Sequence, residues 1–384
     1  MTKSGGLWPW VNSRMPPSPQ THWILGDSSS KRFSDYSAAA VRCGMQPPRC
    51  VEWLDLIGRG CQALNCIPAG SRLRIDSFGQ RDDVLAALIR HGGGNAFPKP
   101  GEIQSLDRQY SGLCRVLEDL SHWSTQRTEI SLDQNPMDIA VMFDKWATHR
   151  RLLPDRPQTR LLPTEKISFG ESLRRFAKQV GGRVFVKPRY ASSASGVCCY
   201  RISKGRQQLI APIEIVRDAG GIGLFNSLRV RSFTSPSDIE DIFAVLVPQG
   251  MIAEAAVNKA RVEGDRFDLR VVVINGRAEH LVVRQSASPI TNLHLGNRRG
   301  SLQAVTDAVG SSRVERCRRL ALHAASCFPE TLYCGVDILL PRSGDPLVCE
   351  VNAFGDFLPN LVAGGKTVYE AILQSNAADR EALA

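Results

Sequence analysis

The sequence predicts a two-part fold, in which a small parallel α/β domain precedes a longer α+β region. In the first part, short apolar strands alternate with amphipathic helices, an order that is typical of parallel sheets. In the second part, Asn275-Gly276 joins two apolar runs, and this dipeptide is the strongest short hairpin signal. Another hairpin is predicted where Leu332–Leu340 and Leu347–Asn352 flank the turn SGDP.

The composition is that of a globular protein. Of 384 residues, 43% are hydrophobic and 22% are charged, which excludes a wholly disordered, collagenous or coiled-coil chain. No apolar run reaches the ~18 to 20 residues that cross a membrane. Residues 1–20 lack the apolar core of a signal peptide, and we expect a disordered leader there. These features predict a cytoplasmic protein with no membrane partner.

The net charge is the unusual feature of the composition. The formal net charge is +10, and 38 arginines accompany only 10 lysines. The arginines are scattered and form no basic stripe interleaved with aromatic residues, which argues against nucleic acid as a partner. The 11 cysteines contain no CxxC pair, which favours buried thiols in a reducing compartment. Nucleic-acid binding stays an alternative that a steep salt dependence would reveal.

The first predicted domain covers residues 21–135. Its predicted strands are His22–Gly26, Val51–Ile57 and Arg72–Phe78, and its predicted helices are Phe33–Cys43, Asp82–His91 and Ile103–Trp123. Two aspartates at the start of the second helix and the glycines after His91 support its bounds. A loop is expected over Gly92–Gly101, and the polar segment Ser124–Asn135 separates this domain from the rest.

The second predicted domain covers residues 136–384. One helix is expected from Pro136 through MDIAVMFDKWATHRRLL, and others at Phe169–Val180, Asp238–Val247 and Ser311–Cys327. Strands are expected at RVFVKP, VCCYRI and Met251–Val257, and the Asn-Gly hairpin joins Phe267–Ile274 to Ala278–Arg284. Antiparallel hairpins interrupted by single helices are typical of an α+β fold.

Three oxygen-bearing side chains lie in the last hairpin. Glu350 and Asn352 are two residues apart on one strand and therefore share a face. If that strand pairs with the one that carries Asp337, the three side chains converge. Carboxylate and amide oxygens suit a hard cation such as Mg²⁺, held together with substrate phosphates. The alternative interpretation is that the three side chains are simply polar residues on an exposed sheet face. Because Asp337 and Glu350 lie in apolar strands, however, their carboxylates are expected to be buried, and a buried carboxylate needs a charged partner or a metal.

A second candidate site begins at Lys187, near the end of the apolar strand RVFVKP. The small-residue segment YASSASG follows, and such a loop allows backbone N–H groups to approach a polyphosphate while the lysine supplies charge. No Walker signature is present, and a lone lysine at a strand end is commonly just solvated. Beside a magnesium site, however, a phosphate-binding role is favoured.

Together these segments resemble the ATP-grasp superfamily, most closely the branch that holds glutathione synthetases and ribosomal-protein glutamate ligases. The resemblance runs from about Phe143 to Ala371. The matching segments are FDKWATHRRLL with LLPT, VFVKPRYASSASGV, MIAEAAV, EGDRFDLRVVVINGRAEHLVVRQ, TNLHLG, GVDIL and CEVN. The chain departs from the family after Asn352, where AFGDFLPN replaces a Pro-Gly turn, and at Leu295-Gly296, which replaces an arginine-glycine pair. Both departures fall near the expected acceptor substrate.

The resemblance implies an ATP-grasp fold, in which two α+β lobes grip the nucleotide, a central lobe over about 165–257 and a C-terminal lobe over about 258–376. ATP would be held by two lysines, by a flexible phosphate loop and by a hinge whose backbone faces adenine. The implied cofactor-binding residues are Lys145, Lys187, Ser192, Ser193, Ser195, Gly196, Glu254, Ala255, Ala256 and Val257. The implied catalytic residues are Arg270, Arg284 and Asn292, of which Arg270 faces the transferred phosphoryl group. The implied metal ligands are Asp337, Glu350 and Asn352, with Mg²⁺ as the ion and Mn²⁺ as an alternative.

The implied activity is an ATP- and Mg²⁺-dependent carboxylate–amine ligase that works through an acyl phosphate. Its partners would be small-molecule or peptide carboxylate and amine substrates, and a homo-oligomer stays open. Asp337→Ala and Glu350→Ala are expected to abolish turnover while leaving the fold intact. The alternative of a different class is an ATP-binding regulatory module without ligase activity.

Two further sets of residues are weaker candidates. Asp265 and Asp268 could contact ribose or orient Arg270. Ser28 to Lys31 follow a strand and could bind an anion at the start of the next helix. In the resembling proteins this domain helps to hold the acceptor, which keeps this candidate weak.

Overall fold

A computed structural model describes residues 21–79, 81–95, 98–155, 160–168, 170–355 and 358–375. The predicted leader over residues 1–20 lies outside these ranges, as do Phe169 and part of the segment AFGDFLPN. Within the ranges described, no helix is long and apolar enough to cross a membrane.

The first part of the chain forms a parallel sheet with helices around it. Its strands are β1 (His22–Gly26), β2 (Arg49–Glu52), β3 (Arg72–Ile75) and β4 (Ser131–Leu132). Its helices are α1 (Lys31–Arg42), α2 (Trp53–Arg59), α3 (Asp82–His91) and α4 (Leu106–Gln126). The strand order is β2-β1-β3-β4 and each pairing is parallel. The predicted α/β fold of this part is therefore confirmed.

The predicted strand Val51–Ile57 is wrong in its second half. β2 ends at Glu52, and the chain turns directly into α2. Trp53 and Leu56 lie three residues apart and are both buried, so the apolar residues follow one face of a helix. The Trp53 indole N–H also donates to the Asp76 carbonyl at 3.0 Å, which fixes the start of this helix against β3.

The single helix predicted from Pro136 is two helices, α5 (Pro136–Phe143) and α6 (Lys145–Leu152). The break falls at Asp144, whose extended backbone (φ −107°, ψ 105°) interrupts the helical path. The Asp144 carboxylate accepts a hydrogen bond from the Trp146 N–H at 2.9 Å and so caps the second helix. The break places Lys145 at the very start of α6.

The central lobe is an antiparallel sheet. Its strands are β5 (Thr164–Ile167), β6 (Arg183–Pro188), β7 (Cys198–Ser203), β8 (Arg206–Asp218), β9 (Gly221–Phe233) and β10 (Met251–Ala255). Their order is β5-β10-β6-β7-β8-β9. The accompanying helices are α7 (Gly170–Gln179) and α8 (Pro236–Leu246). The two long strands β8 and β9 were not predicted, because their many exposed positions blur the apolar alternation that marks a strand.

The C-terminal lobe holds a second antiparallel sheet. Its strands are β11 (Arg261–Val262), β12 (Asp265–Ile274), β13 (Arg277–Ser286), β14 (Arg298–Gly300), β15 (Tyr333–Leu339) and β16 (Leu347–Asn352), followed by the small pair β17 (Val362–Ala363) and β18 (Lys366–Thr367). The main order is β14-β13-β12-β15-β16. Helices α9 (Leu302–Val309), α10 (Ser311–Ser326) and α11 (Val368–Leu373) complete the lobe. Both predicted hairpins are confirmed, and Asn275 and Gly276 both have positive φ, as a tight hairpin turn demands.

Three hydrophobic clusters of the described residues position the lobes, and two of them join the parallel domain to the C-terminal lobe. One core joins the parallel sheet to the C-terminal sheet, with Leu73 and Leu117 packed in the same cluster as Phe267 and Val336. The central sheet has its own core. A cleft therefore lies between a base made of the first and last sheets and a separately packed central lobe. The boundary at residues 135 and 136 and the lobe bounds stay predictions.

Candidate active site

The cleft encloses a cavity of about 800 Å³, a size typical of ligand-binding sites. Both lobes and the parallel domain contribute to its walls. The predicted site residues that line it are Lys145, Lys187, Ser192, Ser193, Ser195, Glu254, Ala255, Arg270, Arg284, Asn292, Asp337, Glu350 and Asn352. Gly196, Ala256 and Val257 adjoin these residues in sequence but are not among the lining residues. The structure thus brings most of the sequence candidates into one cavity.

Lys145 lies against the small-residue loop after β6. Its backbone N–H donates to the Arg189 carbonyl at 3.1 Å, and its ammonium group donates to the Ala191 carbonyl. Arg189 in turn pairs with Asp144, with Nε 3.0 Å from Oδ1. Burial lowers the pKa of Lys145, although Glu350 opposes this shift. The start of α6 and the loop are therefore one connected unit.

Lys187 is buried on β6 and faces the hinge strand β10. Its Nζ lies 2.6 Å from Glu254 Oε2 and 3.3 Å from Cys349 Sγ. Burial acts to lower the pKa of Lys187, but Cys349, Glu254 and Glu350 together raise it well above its usual value. Lys187 is therefore a fixed positive charge that links the central lobe to β16.

The small-residue loop has an unusual backbone. Ser193, Ala194 and Gly196 have φ values of 54°, 64° and 66°, a region that non-glycine residues seldom enter. A Cβ on Gly196 would lie 2.7 Å from the Pro188 side chain, so this position requires glycine. Backbone strain of this kind is found in loops that hold ligands.

Two backbone N–H groups at the hinge after β10 already donate hydrogen bonds to backbone carbonyls of the central lobe. The Ala255 N–H donates to the Pro163 carbonyl at 2.9 Å, and the Ala256 N–H donates to the Arg183 carbonyl at 3.1 Å. Recognition of adenine by either of these two N–H groups would require the corresponding backbone hydrogen bond to break. The predicted adenine contact at Glu254–Val257 stays a prediction.

Arginines and carboxylates alternate across the C-terminal sheet. Arg270 on β12 is in register with Asp337 on β15, and Asp337 is in register with Glu350 on β16. The Arg270 guanidinium donates to both oxygens of Asp337, with Nη2 2.9 Å from Oδ2. Arg284 Nη2 lies 3.0 Å from the same Oδ2. The strand pairing that the sequence required is present, but two arginines already share the Asp337 carboxylate.

The predicted metal site has suitable donor chemistry. Over the parts of the chain that are described, no group of three or more His, Cys, Asp or Glu side chains could hold a metal ion. A cation would therefore use the two carboxylates Asp337 and Glu350 together with the Asn352 amide, whose nitrogen lies 3.5 Å from Glu350 Oε1. These donors are all oxygens and fit a hard cation. Asp337 would have to be shared between the cation and the arginines.

Glu350 is held in its ionised form. Burial acts to raise its pKa, but Lys145 and Lys187 lower it to about 2. Because this is below the usual 4.5, the carboxylate stabilises the folded state above that pH, and the contribution is lost as pH falls towards 2.

Glu350→Gln should therefore flatten the acid side of the stability profile. We expect the variant to be less stable than the parent at pH 6 and to lose less of its free energy of unfolding between pH 4.5 and pH 2. Urea unfolding at several pH values measures this, with Glu171→Gln on the exposed face of α7 as the control. Parallel losses in parent and variant would contradict the assignment.

Several residues at the cleft were not identified from the sequence. Lys259, Thr291 and Cys349 line the cavity, but a lone lysine, threonine or cysteine in an apolar run carries no functional pattern. Asp268 also lines it and pairs with Arg284, whereas Asp265 pairs with Arg298 at 3.2 Å on the surface. Of the two aspartates, only Asp268 therefore lies where it could orient a cleft arginine.

The parallel domain closes one end of the cavity. Arg32, Ser77, Phe78 and Gly79 line it there. Ser28 to Lys31, the sequence candidates for anion binding, are not among the lining residues, and the Ser28 and Ser29 N–H groups donate to the carboxylates of Glu52 and Asp27. Arg32, one residue further on, is the side chain of this segment that reaches the cavity.

Aromatic side chains form the wall beside this end. The Phe143 ring lies 5.9 Å from the Phe78 ring and 5.5 Å from the Phe354 ring, measured between centroids. All three rings line the cavity. The cavity thus combines cationic and polar side chains with an apolar wall of three aromatic rings.

The fold and this cleft define an ATP-grasp protein. The YheC/D like ATP-grasp family matches residues 137–372, and the chain belongs to that family. The ATP-grasp superfamily predicted from the sequence is confirmed by this match, while ligase activity and the glutathione synthetase branch stay predictions. A comparison with curated protein sequences gave no match.

Solved structures show the same fold. The D-cycloserine synthetase DcsG is similar over 91% of this chain and 97% of its own, at 13% identity and a TM-score of 0.53. A RiPP-associated ATP-grasp ligase from Chryseobacterium gregarium, in complex with ADP and a leader and core peptide, is similar over 92% and 95%, at 10% identity and a TM-score of 0.50.

Proposed function

We propose that the chain is an ATP- and Mg²⁺-dependent carboxylate–amine ligase that works through an acyl phosphate. The observation that carries this proposal is the cleft itself, in which Lys187 of one lobe and the Arg270–Asp337–Glu350 row of the other line a single cavity. Cations on both walls suit a polyphosphate, and the oxygen donors on one wall suit its metal.

The two lysines and the small-residue loop would hold the nucleotide. Lys145 and Lys187 lie at the phosphate end, where they would neutralise the α- and β-phosphates. The loop from Ser192 to Gly196 would supply backbone N–H groups, as small-residue loops do at phosphate sites. Adenine would lie against the hinge from Glu254 to Val257. Holding ATP at several points fixes the γ-phosphate for transfer.

The arginines would act on the transferred phosphoryl group. The acid substrate attacks the γ-phosphorus, the bond to the β-phosphate oxygen breaks, and ADP leaves as the acyl phosphate forms. Arg270 and Arg284 face this position from buried, prearranged geometry and would stabilise its negative charge. Asn292 would hold the substrate side of the group. Mg²⁺, held by Asp337, Glu350 and Asn352, would supply positive charge at the phosphates when bound.

The second step would join the two substrates. The amine attacks the acyl carbon, inorganic phosphate leaves and carries away the electron pair of the broken bond, and the amine loses a proton to solvent or phosphate. The end of the cavity formed by Arg32 and the three phenylalanines would hold an acid or amine with a charged group and an apolar body. Relatives named for D-cycloserine or crystallised with a peptide make a small amino-acid-like compound or a peptide the first classes to test. The free thiols of the chain agree with a cytoplasmic location.

A coupled assay tests the proposal. The protein is incubated with Mg-ATP and a panel of amino acids and short peptides, and ADP release and product mass are measured. We expect ADP release that requires both an acid and an amine. Arg270→Lys should keep nucleotide binding but lower turnover about 100-fold, with Arg298→Lys on the surface as its control. Absence of ATP binding, or ATP binding with no transfer to any acid, would overturn the proposal, and the second result would favour a regulatory module.

A further inference from the structure

Lys259 lies in a buried network at the wall of the cleft. It follows the hinge, its side chain is buried, and it lines the cavity. Its Nζ donates to Asp268 Oδ2 at 3.0 Å and to Thr291 Oγ1 at 2.8 Å. Burying an ammonium group is costly unless it is paired and hydrogen-bonded, so this lysine is held in place by specific partners.

Asp268 connects this lysine to the arginines. Arg284 Nε donates to Asp268 Oδ1 at 2.6 Å, while Oδ2 accepts from Lys259 and from the Thr291 hydroxyl. The other end of Arg284 contacts Asp337. A continuous row of buried ion pairs therefore runs from Lys259 through Asp268, Arg284 and Asp337 to Arg270.

The charges of this row do not cancel. Lys259, Arg284 and Arg270 are cations, whereas Asp268 and Asp337 are carboxylates, so the row carries one excess positive charge. Glu350 lies 3.9 Å from Arg270 and also acts on Lys145 and Lys187, so the charges are counted over both walls. The cations Lys145, Lys187, Lys259, Arg270 and Arg284 then outnumber the carboxylates Glu254, Asp268, Asp337 and Glu350 by one. The single excess positive charge of these side chains thus depends on Lys259.

The ionisation of Asp268 agrees with this count of charges. Burial acts to raise its pKa, but Arg284 and Lys259 lower it, so the carboxylate is ionised. Without Lys259, the full negative charge of Asp268 would act on Arg284. In a buried site this interaction is weakly screened, and it would cancel the charge that Arg284 presents to the cavity.

We propose that Lys259 is a positioning residue for phosphoryl transfer, which acts by neutralising Asp268 so that Arg284 keeps its charge and orientation towards the transferred group. The inference rests on the proposed function. Lys259 also anchors Thr291, the neighbour of Asn292, so the same ammonium group ties the arginine pair to the loop that lines the substrate side.

Nucleotide binding with and without a phosphoryl mimic tests this role. The dissociation constants of Mg-ADP and of Mg-ADP with beryllium fluoride are measured for the parent, Lys259→Met and Lys259→Arg, with Lys178→Met on the exposed face of α7 as the control. We expect the dissociation constant of Mg-ADP for Lys259→Met to stay within about twofold of the parent value. The factor by which beryllium fluoride tightens this binding should be about tenfold smaller than in the parent. Lys259→Arg should restore the parent factor.

A double variant separates charge from loss of structure. Lys259→Met/Asp268→Asn removes one cation and one carboxylate and so restores the single excess positive charge. We expect it to regain part of the fluoride-dependent tightening that Lys259→Met loses. Parent-like tightening in Lys259→Met, or equal tightening in the single and double variants, would overturn the inference. If the parent itself binds no Mg-ADP, the proposed function fails and this inference falls with it.

Discussion

Asp337→Ala is expected to lower the free energy of unfolding by about 3–5 kcal/mol in addition to abolishing turnover. The Asp337 carboxylate is buried and accepts hydrogen bonds from both Arg270 and Arg284. Its removal leaves two buried guanidinium groups without the carboxylate that they share. The expectation from sequence that this substitution spares the fold therefore needs revision.

Urea unfolding of the parent and the variant gives the measurement. Asp345→Ala is the matched control, because Asp345 forms a partly exposed pair with Arg160 at 2.8 Å. Its loss should cost less than about 1 kcal/mol. A value for Asp337→Ala similar to that of the control would show that the arginine–carboxylate row contributes little to folding.

The shared carboxylate also connects the two halves of the proposed chemistry. Asp337 pairs with the arginines that would stabilise the phosphoryl group, and it is also one of three donors for the cation. A cation that draws on Asp337 would weaken its hold on Arg270 and Arg284. Both guanidinium groups would then be more available to the phosphates. The proposed metal ligands and the arginines therefore form one electrostatic unit.

Much of this unit was predictable from local sequence. The Asn-Gly turn sets the β12–β13 pair, and period-two spacing puts Glu350 and Asn352 on one face. The convergence with Asp337 required only that β15 and β16 pair, which the turn between them favours. The α+β character of the second part followed from the same hairpins.

Other features depend on contacts that no local pattern carries. The buried network around Lys259 forms because the loop at Thr291, 32 residues further along the chain, meets the lysine and Asp268. The break at Asp144 depends on a cap that competes with a continuous helix, since the residues on both sides favour helix. The segment of α2 is predicted as a strand from the sequence because a short apolar run of this length fits both the periodicity of a strand and that of a helix. These outcomes are decided by tertiary packing rather than by propensity.

Lys187→Met is expected to weaken ATP binding by about 100-fold or more. The substitution removes a buried cation from the cavity and leaves Glu254, its partner at 2.6 Å, as a buried negative charge where the phosphates are proposed to bind. The variant therefore loses an attraction and gains a repulsion towards the phosphates. Isothermal titration with Mg-ATP measures the change, with Lys178→Met as the control.

The double variant Lys187→Met/Glu254→Gln separates the two effects. Because it removes both charges of the pair, it should recover the folding stability that Lys187→Met loses. ATP affinity should recover only in part, since the repulsion from Glu254 is gone but the attraction of Lys187 is still missing. Full recovery of affinity would mean that Lys187 serves only to neutralise Glu254. An affinity of Lys187→Met within about threefold of the parent would place the nucleotide phosphates elsewhere, because a buried cation at a polyphosphate contributes far more than that.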